Sequence, residues 1–111
     1  VAIAIVELPD GITQISLDGS LDIAGAAAID LRMNIVGGFA KCVLVDLRHV
    51  VFIGSMGLRS LVSPARAILA RGGKMVLFGP NDLVEKVLRT SGIDSMLPIF
   101  HDYRAALDSF Q

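Results

Sequence analysis

Two runs in this chain drop the polar/apolar alternation of an ordinary strand: Cys42-Val43-Leu44-Val45-Asp46-Leu47, apolar but for Asp46, and Met75-Val76-Leu77-Phe78. Strands of that kind are buried on both faces, as in a parallel sheet covered by helices. Between the runs, Leu58, Leu61, Val62, Ala65, Ile68 and Leu69 recur at helical spacing and form one stripe of a helix. Strand, helix and strand joined in this way make a parallel crossover, which is right-handed by rule. The chain must therefore build a sheet with helices laid on it.

The other segments extend that plan. Val1 to Leu8 reads as a strand, and the turn Pro9-Asp10-Gly11 leads to Thr13, Ile15 and Leu17 alternating with Gln14, Ser16 and Asp18. Alternation plus so short a turn predicts an antiparallel hairpin. An alanine-rich helix is expected from Asp22 to Val36, closed by Gly37-Gly38. Arg48 to Ile53 then leads to the turn Gly54-Ser55-Met56-Gly57, and Arg71-Gly72-Gly73 ends the helix that follows. Pro64 lies inside that helix. Either Ser63 caps a second segment with Pro64 as its first residue, or the helix kinks and continues. The stripe keeps its phase across the proline, which favours the second. Pro80-Asn81-Asp82 opens a third helix with Leu83, Val84, Val87 and Leu88 inward and Gly92 at its C-terminus. Leu97 to Phe100 reads as a short strand that Pro98 places at an edge, and Tyr103, Ala106, Leu107 and Phe110 mark a last helix. The expected fold is α/β, a mixed and mostly parallel sheet of four to five strands with about four helices.

Its 111 residues hold one core, so residues 1–111 are read as a single domain. No apolar run nears the ~20 residues needed to span a bilayer, so membrane insertion is not expected. The start lacks a basic leader, and the missing Met suggests a trimmed or partial chain. Net charge is −1, and Arg59, Arg66 and Arg71 are too dispersed for a phosphate-binding stripe, which argues against DNA or RNA as a partner. The lone Cys42 reads as a buried small hydrophobe in a reducing cytoplasm.

Catalytic patterns are missing. There is no Gly-x-x-x-x-Gly-Lys loop or Gly-x-Gly-x-x-Gly turn, and the spacing around Ser55 fails Gly-x-Ser-x-Gly because Ile53, not glycine, stands two residues before it. A hydrolase would need a base, and only His101 with Asp102 offers one, on another element. His49 and His101 otherwise read as surface residues. No metal, cofactor or enzymatic activity is expected.

The segment Val43 to Leu58 carries more. Its Val-Leu-Val-Asp-Leu, followed by Phe52-Ile53-Gly54-Ser55-Met56-Gly57-Leu58, resembles the signature of STAS domains, the sulphate-transporter and anti-sigma-antagonist family. Leu17-Asp18-Gly19-Ser20-Leu21-Asp22, Arg71-Gly72-Gly73-Lys74-Met75, and Pro80 with Val84, Leu88, Gly92 and Ile93 resemble three further family stretches in the same order. The resemblance covers nearly the whole chain. It implies a bacterial anti-sigma-factor antagonist. Such a protein binds an anti-sigma factor that is a serine kinase of the histidine-kinase-like ATPase fold, is released by phosphorylation, and is restored by a PP2C-type phosphatase. Ser55 stands where the family carries its phosphorylated serine. Asp22, Gly54, Met56, Gly57, Arg59, Ser60 and Ser63 are then expected to form the partner-binding surface.

By residue type alone, Ser55 reads as a helix N-cap and Asp22 as a first-turn carboxylate. Two positions depart from the family: Gly54 replaces its Asp, and Met56 its Ser or Thr. Those departures favour a constitutive interaction module, either a stress-complex scaffold or a cytoplasmic subunit docked on a transporter. The retained Ser55 favours the switch. A ligand-binding domain is the third reading, and no sequence feature argues for it.

Overall fold

The computed structural model describes residues 1–111. Its strands are β1 (Ala2–Glu7), β2 (Ile12–Leu21), β3 (Cys42–Ile53), β4 (Lys74–Phe78) and β5 (Ile99–Phe100). The helices are α1 (Ile23–Phe39), α2 (Ser55–Ala70), α3 (Asp82–Thr90) and α4 (Tyr103–Asp108). The five strands form one sheet in the order β1-β2-β3-β4-β5, antiparallel between β1 and β2 and parallel elsewhere. The hairpin, the crossover and the edge position of β5 all follow the sequence expectation.

Burial on both faces of β3 is visible residue by residue. Val43, Val45 and Leu47 face a large core shared with Ile29, Met33 and Val36 of α1, Leu61, Ala65 and Ile68 of α2, and Val84 and Leu88 of α3. Leu44 points the other way, into a smaller cluster with Ile12, Val76, Phe78 and Ala106 of α4. Asp46 shares that face. Its buried carboxylate accepts from the Arg48 backbone N–H at 3.0 Å and from the guanidinium at 2.8–3.2 Å, while the guanidinium lies 5.2 Å over the Phe78 ring. Burial pushes this carboxyl up, but the Arg48 hydrogen bonds and charge outweigh it, so Asp46 titrates below the ordinary carboxylate value.

Several local expectations need correction. α1 does not stop at Gly37-Gly38; it continues to Phe39 because Gly37 is where α2 crosses it. A Cβ on Gly37 would lie 2.8 Å from both Cα and Cβ of Pro64. The real end of α1 is closed by Arg71, whose guanidinium donates to the carbonyl oxygens of Gly37 and Ala40. α2 is one continuous helix through Pro64, as the phase of its stripe required. Arg48 to Ile53 is not a separate connection but the second half of β3. Leu83 points outward at 59% exposure, and Leu69 leaves the buried stripe. Cys42 is half-buried at the margin of the smaller cluster, because it begins its strand, where cover by the helices is incomplete.

Two outcomes test this framework. Gly37→Ala should lower stability by ~1–3 kcal/mol, read by denaturant unfolding, because the contact it crowds is backbone and cannot give way. Asp46→Ala should cost about 1–2 kcal/mol at neutral pH, the low end for a charged hydrogen bond because Arg48 is largely solvated. The contribution of Asp46 is present above the unfolded carboxylate pKa of about 3.9. It disappears as pH falls through the lower folded value, so the gap between wild type and Asp46→Ala should close in strong acid.

Candidate partner-binding site

At the C-terminal ends of the parallel strands, two strand-to-helix junctions meet. The Leu21 carbonyl, last in β2, accepts from the Gly54 N–H at 3.0 Å, and Leu21 is paired with Ile53 in the sheet register. Gly57, in the first turn of α2, lies directly against Leu21: a Cβ there would sit 2.6 Å from the Leu21 oxygen and 2.7 Å from its Cβ. The start of α2 is thus pressed onto the end of β2, which places the residue after Leu21, Asp22, beside the mouth of α2.

Each junction is chemically distinct. Asp22 is the N-cap of α1, its carboxylate accepting from the Gly25 N–H at 2.8 Å. Ser55 is not an N-cap. Gly54 holds that place, and Ser55 is the first helical residue, exposed, with no hydrogen bond to its hydroxyl. The N–H groups of the first turn of α2 receive no side-chain cap. An uncapped helix start carries partial positive charge and free donors, a setting that favours an anion.

The expected surface residues divide into two groups. Asp22, Ser55, Met56, Arg59 and Ser63 are exposed. Ser63 donates to the Asn34 side chain of α1 at 3.1 Å, so its hydroxyl already ties the two helices together. Gly57 and Ser60 are corrected: both are buried and present no side chain to a partner. Ser60 is only 2% exposed, because its position on α2 faces α1, and its hydroxyl donates to Asp30 while also reaching the Met56 carbonyl. Gly54 is partly covered by the Phe52 ring, whose Cε2 lies 3.3 Å from where a Cβ would be.

Residues the sequence reading passed over complete the site. Val51 and Phe52 are exposed near the end of β3, and the Phe52 ring lies against Gly54, the residue before Ser55. On the other flank, Leu58 and Val62 of α2 face Ile93 and Met96 across an open groove of about 620 Å³, with Arg59 and Arg66 at its rim. Neither arginine pairs with a carboxylate. The apolar run Val50-Val51-Phe52 beyond Arg48-His49 was the available signal for the first patch; nothing local signalled the groove.

The hydrolase constellation is not assembled. His101 Nε2 sits 2.9 Å from a Glu85 carboxylate oxygen, and Asp102 caps α4 by accepting from the Ala105 N–H. Arg89 bonds the same Glu85 and, with His101, holds its carboxyl below the ordinary range. No cluster of three or more histidine, cysteine or carboxylate side chains has the arrangement of a metal site. No helix is long and apolar enough to cross a membrane.

Comparison with known proteins agrees with the geometry. The family profile described as "STAS domain" matches residues 4–106. The anti-sigma-F factor antagonist RsfB of Mycobacterium tuberculosis is 26% identical over 102 residues, 88% of this chain and 80% of RsfB. An anti-sigma-factor antagonist (STAS) domain protein from Planctomyces limnophilus superposes with TM-score 0.88 at 23% identity, covering 98% of this chain and 97% of its own. SpoIIAA, an anti-sigma factor antagonist and Bacillus cell fate determinant, superposes in two states. The unphosphorylated form gives TM-score 0.80 at 21% identity, covering 97% of this chain and 95% of its own. The phosphorylated form gives 0.75 at 20% identity, covering 99% of this chain and 100% of its own.

The two glycines of the site should differ in their tolerance of substitution. Gly57→Ala should destabilise by ~1–3 kcal/mol because it meets the Leu21 backbone. Gly54→Asp should leave thermal stability within about 0.5 kcal/mol of wild type, since only the exposed Phe52 ring must move and aspartate is a good N-cap.

Proposed function

The chain belongs to the STAS domain family, and on that premise we propose that it is an anti-sigma-factor antagonist whose release from its partner is driven by phosphorylation of Ser55. The partner is an anti-sigma factor acting as a serine kinase of the histidine-kinase-like ATPase fold, and a PP2C-type phosphatase returns the protein to its binding form. The protein acts in the cytoplasm by docking, not by catalysis.

One observation carries this reading: the Ser55 hydroxyl is exposed and unbonded at the first residue of α2, next to apolar surface and away from the core. A kinase reaches it without unfolding anything. Phosphate there adds about −1.5 to −2 charge at an uncapped helix start, so the folded domain accommodates it. A docked partner does not. Before phosphorylation, Val51, Phe52 and Met56 offer apolar area that loses water on contact. Afterwards the same contact must strip water from a dianion beside the Asp22 carboxylate, a cost that Arg59, one turn along α2 from Ser55, offsets only in part.

The constitutive-module reading retains one specific support. Gly54 supplies no carboxylate, and the Phe52 ring lies over the place where one would stand. A partner reading mainly apolar surface would tolerate either state of Ser55.

The test incubates the protein with Mg-ATP and its cognate kinase and maps phosphate by mass spectrometry. Label is expected on Ser55, with none in Ser55→Ala. In calorimetric titration with the kinase, Ser55→Ala should bind like wild type and Ser55→Asp at least about tenfold more weakly, near 1.4 kcal/mol. Equal binding by all three, without label, would establish the constitutive module instead. Gly54→Asp should raise the phosphorylation rate if the family's carboxylate assists recognition, measured as initial rate under the same conditions.

A further inference from the structure

The open groove of about 620 Å³ between α2 and residues 91–96 stands apart from the rest of the surface in its charge. α2 carries Arg59 and Arg66 and no acidic residue, although the net charge of the chain is −1. No aspartate or glutamate lines the groove. Asp94, within the opposite wall segment, is held by Arg89, which also holds Glu85. Arg32, Arg48, Arg71 and Arg89 all donate hydrogen bonds within the chain, whereas Arg59 and Arg66 donate none. The hydroxyls along the groove are engaged as well: Ser63 donates to Asn34, Ser91 to the Leu88 carbonyl oxygen and Ser95 to that of Gly92. What remains for a partner is an apolar floor of Leu58, Val62, Ile93 and Met96, bordered by two unpaired positive charges.

Such a surface is complementary to a group that is apolar on one side and negatively charged beside it. The backbone around the groove decides the form of that group. An extended peptide binds by adding to a sheet edge, and this groove has none. Its walls are α2 and a 3₁₀ turn over Ile93–Ser95, whose backbone is bonded internally, Ser95 to Gly92 and both Met96 and Leu97 to Ile93. A small-molecule site encloses most of its ligand, whereas this groove lies open. Recognition must come from side chains across an open surface, as when an amphipathic helix lays its apolar face in a groove. The spacing agrees. Arg59 and Arg66 are seven residues apart, about 10.5 Å along α2, so carboxylates two turns apart on a docked helix can meet both, with its apolar residues between them over Val62.

We infer that this groove is the docking site for an acidic amphipathic helix of the protein partner. The identity of that partner rests on the reading of Ser55 proposed above: Arg59 lies one turn along α2 from Ser55, so one anti-sigma factor reaches both. Arg66 lies about 16 Å along the helix from Ser55 and therefore reports on the groove alone.

The test uses the whole chain and a probe of known composition. The probe is a helical peptide of about 20 residues with leucines on one face and glutamates seven apart on its flank. Its controls are the same peptide with lysine for glutamate and a scrambled peptide of identical composition. In an amide NMR titration to about 1 mM, the acidic peptide should shift the signals of Leu58, Val62, Ile93 and Met96, and neither control should. Arg66→Glu, an exposed substitution, should weaken the acidic peptide at least about tenfold with an unchanged melting temperature. The double variant Arg59→Glu, Arg66→Glu should bind the lysine peptide instead. No shift at the groove overturns the inference, as does equal binding of either control, or Arg66→Glu that binds like wild type. A single-stranded oligonucleotide that shifts the same signals as strongly would overturn it in favour of a polyanion site.

Titration with the cognate kinase separates this inference from the Ser55 reading. Arg66→Glu should lose affinity for the kinase at least about tenfold. Unchanged affinity in Arg66→Glu removes the groove from the interface and leaves the Ser55 switch standing. Loss in Arg66→Glu with none in Ser55→Asp keeps the groove and removes the switch. A kinase that binds no form of the chain, while the acidic peptide fills the groove, overturns the anti-sigma factor as its occupant.

Discussion

The contact between Leu21 and the first turn of α2 is the constraint on which the arrangement of this molecule depends. The Leu21 oxygen accepts from Gly54, and Gly57 has no side chain because that same peptide occupies its space. Through this contact the ends of β2 and β3 are level, and the helices that follow them start side by side. The surface bearing Asp22, Phe52, Ser55 and Met56 is a consequence. Remove the close approach, and Ser55 remains a serine at a helix start with no shared surface around it.

Rigidity below and exposure above are what the proposed switch at this surface requires. The first half of β3 is buried on both faces, and Val50 and Ile53 anchor its second half, so the strand leading to Ser55 is tied to the core. Ser55 contributes no packing of its own. Charge added there is therefore felt mainly by whatever docks, not by the fold. A side chain with a structural hydrogen bond, such as Ser60 with Asp30, could not serve in this way without a cost in stability.

α1 and α2, which pack against the same side of the sheet, have different relations to solvent. α2 divides its surface between the core and a groove rimmed by arginines. α1 shows almost no polar surface beyond the groups it uses internally. The molecule thus presents two separate surfaces on one small framework, one charged at its edge and one nearly uncharged.

The local instructions in the chain were sufficient for its elements and their pairing. Unbroken apolar runs place β3 and β4 inside a parallel sheet, Pro9-Asp10-Gly11 closes the hairpin, and the stripe of α2 persists through Pro64 because the phase of a helix is a property of spacing. The motif from Val43 to Leu58 likewise located Ser55. Tertiary structure alone decided what depends on neighbours distant in sequence. Gly37 sits inside the last turn of α1 where Pro64 crosses it, and Gly57 and Ser60 are inward because Leu21 and Asp30 lie opposite them. Leu31, Ile35 and Phe39 were ordinary helix residues until the fold left their side of α1 uncovered. A sequence carries periodicity, which local sterics and hydrogen bonding convert into elements. Which face of an element meets another, and which meets water, is set by packing that no single segment contains.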